Sequence, residues 1–222
     1  RIAHTNRIGS LLVLHNLRVR GIGGRNWSAW WAAHREHVPV HLRALIEHEC
    51  ERLALVKRQV RELEAERRRE LAAGAQPNVQ LLTGLRSIGL RGAWLLDKEL
   101  FGWRDFANRR EVGAGLGLTP TPYDSGNARV EQGVSKQGSK RSRSLMVELA
   151  WMWLRLQPTS ELTHWFNRRF ASGASRIKRV GIVALARKLA IALWRYLKYG
   201  ELPAGAVLKP LPPACGAAAQ LA

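Results

Sequence analysis

The sequence predicts a mostly α fold: a long coiled-coil helical arm, then a helical domain with a helix-hairpin-helix and an irregular basic loop. Three observations predict it. Apolar residues recur every three or four positions along most of the chain. No run alternates apolar with polar at period two beyond four or five residues. Glycine and proline cluster at a few points and cut the helical pattern into pieces. With 222 residues, 46% hydrophobic and 24% charged, the chain has the composition of a globular protein that buries a real core.

The elements follow in order. Residues 1–20 have helical spacing, with Ile2, Ile8, Leu11, Leu12 and His15 recurring on one face. The stretch 21–26 (GIGGRN) interrupts it; lacking the Lys-Ser/Thr of a phosphate-binding P-loop, and with no strand before it, it reads as a turn. From 39 to about 73 the pattern is one long helix, with Ile46, Leu53 and Val60 seven apart and Val56 and Leu63 at the complementary seam positions. Such a helix either pairs with a second copy as a coiled coil or packs on its own chain, and periodicity admits both. Glu49 and Arg67 fall on the seam and make the repeat imperfect. Residues 74–78 (GAQPN) form a linker. A helical pair is expected around 80–112, an irregular basic loop over 113–144, and helices at about 141–156, 160–171 and 177–198. The tail from 201, rich in Pro, Ala and Gly, reads as loose.

Charge narrows the partners. Lys and Arg number 36 against 17 Asp and Glu, a net charge of +19, which attracts polyanions at long range and points first to nucleic acid. Cys50 and Cys215 have no ligand spacing around them, so neither a disulfide framework nor a zinc site is expected. The most apolar stretch, 180–196, contains Arg187, Lys188 and Arg195 and is not a membrane span. No signal peptide is visible, and the opening at Arg1 reads as mid-helix, so the expectation is a fragment of a longer cytoplasmic protein.

Two segments carry candidate chemistry. Residues 81–96 (LLTGLRSIGLRGAWLL) have the spacing of a helix-hairpin-helix, a motif whose turn offers backbone N–H groups to a DNA phosphate. Leu85, Ile88, Gly89 and Ala93 match, Ser87 replaces the usual first glycine, and Arg86 and Arg91 favour DNA contact over a ligand-free αα-hairpin. The second segment, 115–143 (GLGLTPTPYDSGNARVEQGVSKQGSKRSR), puts Ser125-Gly126 at the apex of a non-helical excursion. Arg129, Ser135, Lys136, Gly138, Lys140, Arg141 and Arg143 follow within reach of one polyanionic backbone. Serine is a poor nucleophile unless developing charge on phosphorus is stabilised, and clustered cations supply that. Local chemistry alone leaves Ser125 as either turn residue or nucleophile, with Ser135 and Ser139 as substitutes, and leaves Lys136, Arg141 and Arg143 as either phosphate clamps or a solvated face. Trp151, Trp153, Trp165 and Trp194 read as core rather than base-stacking residues.

Four linked motifs resemble the C-terminal domain of the bridge-RNA-guided transposases of insertion-sequence family 110. After the hairpin pair, residues 106–112 correspond to that family's Phe-x-(Ser/Asn)-x-Arg-(Glu/Gln)-(Leu/Val). Gly117-Leu118-Thr119-Pro120, then Ser125-Gly126, then Val134-Ser135-Lys136-Gln137-Gly138 and the basic helix start 140–143 complete the pattern. The opening, His4-Thr5-Asn6-Arg7-Ile8 to Leu14-His15, resembles the end of the family's first domain.

The resemblance implies that Ser125 is a recombinase nucleophile forming a transient phosphoserine, a transesterification that needs no ATP. It implies double-stranded DNA and a guide (bridge) RNA as partners, a homo-oligomer (dimer or tetramer) through the coiled coil, and nucleoid association in a prokaryotic cytoplasm. It also implies Mg2+ held by an acidic RuvC-like domain that this stretch lacks, so no metal ligands are expected here. The implied layout is 1–38 as the end of that domain, 39–78 as coiled-coil arm and linker, 79–200 as the transposase domain and 201–222 as tail. Two rivals stand beside it: a non-catalytic helix-hairpin-helix DNA-binding module, and a coiled-coil assembly scaffold.

Overall fold

The structure, a computed structural model, describes residues 1–125 and 128–210, and the side chains of these apart from 122–132. It divides into two compact units, 1–73 and 74 onward.

The first unit is helical. α1 (Ile2–Val13) buries Ile8 and Leu12, and α2 (Trp27–His34) stacks Trp27 on Trp30 and Trp31, with ring centroids 5.4 and 6.0 Å apart. α3 (Val40–Ala72) runs 33 residues, and only its first half presents buried residues, Ile46, Glu49 and Leu53, which pack with α1 and Val38. The expected single long helix is present, and part of its heptad seam is spent on its own chain. The glycine stretch 21–26 is a turn closed by Gly24 N donating to Gly21 O at 2.8 Å, and Lys57 Nζ donates to the Gly23 carbonyl.

One carboxylate is buried in this unit. Glu49 accepts from His4 Nδ1 at 2.7 Å, Arg7 Nη1 at 2.8 Å and Arg52 Nη1 at 2.7 Å. A buried carboxylate without partners would be costly, and three cationic or hydrogen-bonding groups offset that cost. Those contacts, that of His4 first, hold its pKa down at about 2.

The second unit is built around α9 (Ser175–Tyr199), whose Ile182, Leu185, Ala186, Leu189, Ala190 and Leu193 are buried at helical spacing. α4 (Pro77–Gly84), α6 (Arg109–Gly115), α7 (Lys140–Leu156) and α8 (Glu161–Phe170) pack on it, and α5 (Leu90–Leu96) joins α4 and α7. A Cβ on Gly181 would lie 2.5 Å from Cγ of Phe170, so the missing side chain lets α8 and α9 approach closely. Trp153 and Trp194 belong to this core, as their spacing suggests, whereas Trp151 is half exposed.

Two expectations are corrected. The segment between α6 and α7 is not an irregular loop. It contains an antiparallel pair, β1 (Pro120–Ser125) and β2 (Ala128–Val134), with a bulge between Pro120 and Pro122. Nor are residues 201–210 loose. Glu161 N donates to Ala204 O at 3.0 Å, and the buried side chain of Gln157 pairs with both backbone groups of Val207, at 2.9 and 2.6 Å. A lone two-stranded pair with prolines gives no hydrophobic alternation, and backbone pairing of a tail leaves no compositional trace. No helix among the described residues is long and apolar enough to cross a membrane.

Candidate nucleic-acid interface

The basic segment is assembled from α6 onward. Asn108 caps α6 by accepting from Arg110 N and Glu111 N, and Glu111 reaches back to Ala107 N at 2.9 Å. The helix ends in a Schellman turn, Leu118 N to Gly113 O at 3.0 Å and Gly117 N to Ala114 O at 2.8 Å, with Gly117 at φ +64°. Only glycine serves there, because a Cβ would also lie 2.0 Å from the Gln137 carbonyl oxygen. Gly138, at φ +102°, meets Gly115 O almost as closely: a Cβ there would lie 2.3 Å away. The two ends of the hairpin segment are therefore locked together backbone against backbone.

Ser125 ends β1, its Cα paired in register with that of Ala128, while Asp124 faces Arg129 along the ladder. Gly126 and the side chains of Ser125 and Arg129 lie outside the described part of the structure. At the hairpin base Ser135 N donates to Thr119 O at 2.9 Å, and the two hydroxyls lie 3.3 Å apart. Lys136, at φ +56°, turns the chain toward α7, with its N–H on Gly117 O at 3.1 Å.

The cations of this segment divide by what they touch. Arg143 Nη1 donates to Leu116 O at 3.1 Å and Lys136 O at 2.9 Å, so this guanidinium staples the junction. Arg141 pairs with Glu99 Oε1 at 2.8 Å, and Ser139 caps α7 while donating to Glu99 Oε2 at 3.3 Å. Lys136, Gly138 and Lys140 face solvent. Sequence reading missed Glu99, which ties the turn after α5 to the start of α7; an isolated glutamate carries no pattern that announces such a role.

The α4–α5 pair holds the second set. Arg86, Gly89 and Arg91 are exposed around a turn closed by Ile88 N donating to Leu85 O at 3.1 Å. Ser87, in the position of the usual glycine, is buried. Residues 207–209 brace this turn from behind: Arg86 N donates to Val207 O at 3.2 Å, and Lys209 Nζ reaches the carbonyls of Thr83 and Ile88 at 2.7 and 2.6 Å. Burial pushes the Lys209 ammonium pKa down.

Of the aspartates outside the hairpin, Asp97 accepts from Asn78 Nδ2 at 3.0 Å and Asp105 pairs with Lys198 at 2.8 Å. Among the described residues, no three His, Cys, Asp or Glu side chains gather as a metal site. The described residues thus present no carboxylate cluster that would hold a magnesium ion.

Residues 79–164, spanning most of α4 through the first turn of α8, match the family described as "Transposase IS116/IS110/IS902 family". Over 183 residues the chain is 42% identical to "Putative transposase y4rJ" of Sinorhizobium fredii (strain NBRC 101917 / NGR234), covering 78% of this chain and 46% of that protein. Over 138 residues it is 33% identical to "Transposase for insertion sequence element IS1328" of Yersinia enterocolitica, covering 61% of this chain and 40% of that one. The chain spans less than half the length of either relative. With its hairpin, its basic junction and most of its α4–α5 pair inside the matched segment, the chain belongs to the IS116/IS110/IS902 transposase family.

Proposed function

We propose that the chain is the strand-transfer part of an insertion-sequence DNA transposase, with Ser125 as nucleophile and a structured RNA choosing the site. The observation that carries this reading is Ser125 at the far end of β1, in a hairpin anchored to a cationic junction within the transposase-family segment. The Ser125 oxygen attacks phosphorus, an Oγ–P bond forms, and the P–O bond to deoxyribose breaks. The serine proton leaves to solvent or to the departing oxygen, which ends as a hydroxyl; attack by another DNA hydroxyl reverses the sequence and frees the serine. Lys136 and Lys140, free of any carboxylate partner among the described residues, supply positive charge for the phosphoryl oxygens. Ser135 and Ser139 are weaker nucleophile candidates, since their hydroxyls already meet Thr119 and Glu99.

In this reading Arg86, Gly89 and Arg91 hold a duplex phosphate as a helix-hairpin-helix does. The exposed second half of α3 pairs with another copy as a coiled coil. The RNA and the oligomer rest on the family resemblance, as does the magnesium supplied by an acidic domain.

The test traps the covalent intermediate. The protein, RNA, magnesium and an end-labelled duplex are incubated and denatured, with and without Ser125→Ala. A DNA adduct that disappears in the variant, with duplex affinity unchanged within about twofold, is the expected result. An adduct that persists assigns the chemistry to another serine. Duplex binding without any adduct establishes the binding-module reading.

A further inference from the structure

A groove of about 1200 Å³ runs between the α6–β1 side of the hairpin and one face of α9, with Trp165 of α8 also lining it. Its α9 wall is a single helical stripe in which Arg176 and Arg179 on one side and Arg187 on the other flank Val180, Val183 and Ala184. The opposite wall adds Arg109 and Arg110 from the first turn of α6. Among the described residues no acidic side chain lines it, and none of these five arginines has a carboxylate partner. Arg179 donates to Ser175 on its own helix. Five guanidinium groups around one groove repel one another, an arrangement that a bound polyanion relieves.

Between the arginines the groove presents apolar and aromatic surface. Val180 is 60% exposed. Trp165 is half buried, with Lys188 Nζ over its ring at 4.7 Å from the centroid. A duplex shows such a surface only its charged backbone, whereas a single strand offers base faces to apolar and aromatic side chains and phosphates to the rim. The hairpin links this groove to Ser125: Thr121 lines the groove, and four strand residues further on, about 13 Å at the usual rise, comes the serine.

We propose that the groove holds single-stranded DNA, its bases against Val180 and Trp165 and its phosphates on the arginines of both walls. That the strand is DNA rests on the strand-transfer reading of Ser125; that it is single-stranded and lies here does not. The groove then keeps a displaced or cleaved strand beside the hairpin while the duplex is held elsewhere.

The test uses the 222-residue chain and fluorescence anisotropy with a labelled 20-nucleotide single strand, its duplex, and RNA of the same sequence. The single-stranded DNA is expected to bind at least tenfold tighter to the parent than to Arg179→Ala/Arg187→Ala. That double variant should also lower the log–log salt slope by about 1.4, at about 0.7 per phosphate contact on a single strand. Val180→Asp, an exposed change that spares the core, should weaken the single strand and leave duplex binding within about twofold. Iodouracil placed in the strand should cross-link to Trp165. Equal losses for duplex and single strand, preference for the RNA, or cross-links mapping away from α8 and α9 would each overturn the proposal. Circular dichroism melts of both variants separate lost contacts from lost fold. Ser125→Ala should bind the strand as the parent does, so failure of the nucleophile assignment and failure of the groove assignment give different results.

Discussion

Glu49 shows how one residue can set the pH response of a unit. Its carboxylate is buried on α3, held by His4, Arg7 and Arg52, with a pKa of about 2 in place of the usual 4.5. A pKa lowered by folding contributes stability that is present above the unfolded value and lost as pH falls through the folded one. We therefore expect thermal unfolding of the parent to lose part of its stability between about pH 4.5 and pH 2. Glu49→Gln should be less stable than the parent at pH 7, and the gap should close across that window. A gap that stays constant from pH 7 to pH 2 would show that the ionised form of Glu49 adds nothing. Residues of this kind are poorly legible in sequence: Glu49 reads only as a flaw in the heptad, because two of its three partners, His4 and Arg7, lie more than 40 positions away. Ser125, Lys136 and Lys140 are the opposite case: local spacing and composition bring them forward as candidates, and the family resemblance, not local chemistry, singles out Ser125 among them. Arg141 and Arg143 look the same in sequence, and only their contacts with Glu99 and with the Leu116 and Lys136 carbonyls separate them from the solvent-facing lysines.

At the scale of elements, the long helices were legible and the hairpin was not. Helices α3, α7, α8 and α9 fall within a few residues of their expected limits, because each carries several turns of periodic burial and a proline, serine or glycine at an end. β1 and β2 are short, polar and interrupted by Pro120, Pro122 and Gly133, so the period-two signal is lost. The α9 arginines Arg176, Arg179 and Arg187 stand at helical spacings of three and eight, but without the opposing wall such a stripe looks like any solvated face. α3 carries the element-scale prediction. Its seam is split: Leu53 is buried in the first unit, whereas Val60 is 36% and Leu63 52% exposed. Leu53→Lys would place a charge in a closed core and unfold this unit, so loss of assembly in that variant says nothing about pairing between copies. Leu63→Glu is the discriminating change. It should alter stability by no more than about 0.5 kcal/mol, as exposed substitutions do. If α3 pairs between copies it should also shift the mass measured by light scattering toward the monomer. An unchanged oligomer would exclude this half of α3 from the interface.

At the scale of the whole molecule, the charge is unevenly shared. Of the 36 Lys and Arg, 22 lie from residue 74 onward, with 9 of the 17 Asp and Glu, so the second unit carries most of the excess. Net charge alone would make every surface cation equally effective, since long-range attraction ignores which residue supplies it. Direct phosphate contact does not: each contact releases counterions and contributes about 0.9 to the log–log salt slope on a duplex. The two pictures part on substitution. If charge acts only as a field, Arg58→Ala and Arg61→Ala in the first unit should weaken duplex binding as much as Arg86→Ala, Arg91→Ala, Lys136→Ala or Lys140→Ala in the second. If the second unit is the interface, each of those four should lower the slope by up to about 0.9, and the first-unit changes should leave it in place. Arg143→Ala supplies an internal control, because its guanidinium is already engaged by two backbone carbonyls. It should lower the melting temperature, since hydrogen bonds from a charged group are each worth about 1.5–3 kcal/mol, and change the slope little at temperatures where the variant is folded. A slope that falls equally for Arg58, Arg86 and Lys140 would reduce the basic segment to bulk charge and remove the electrostatic argument for strand chemistry at the hairpin.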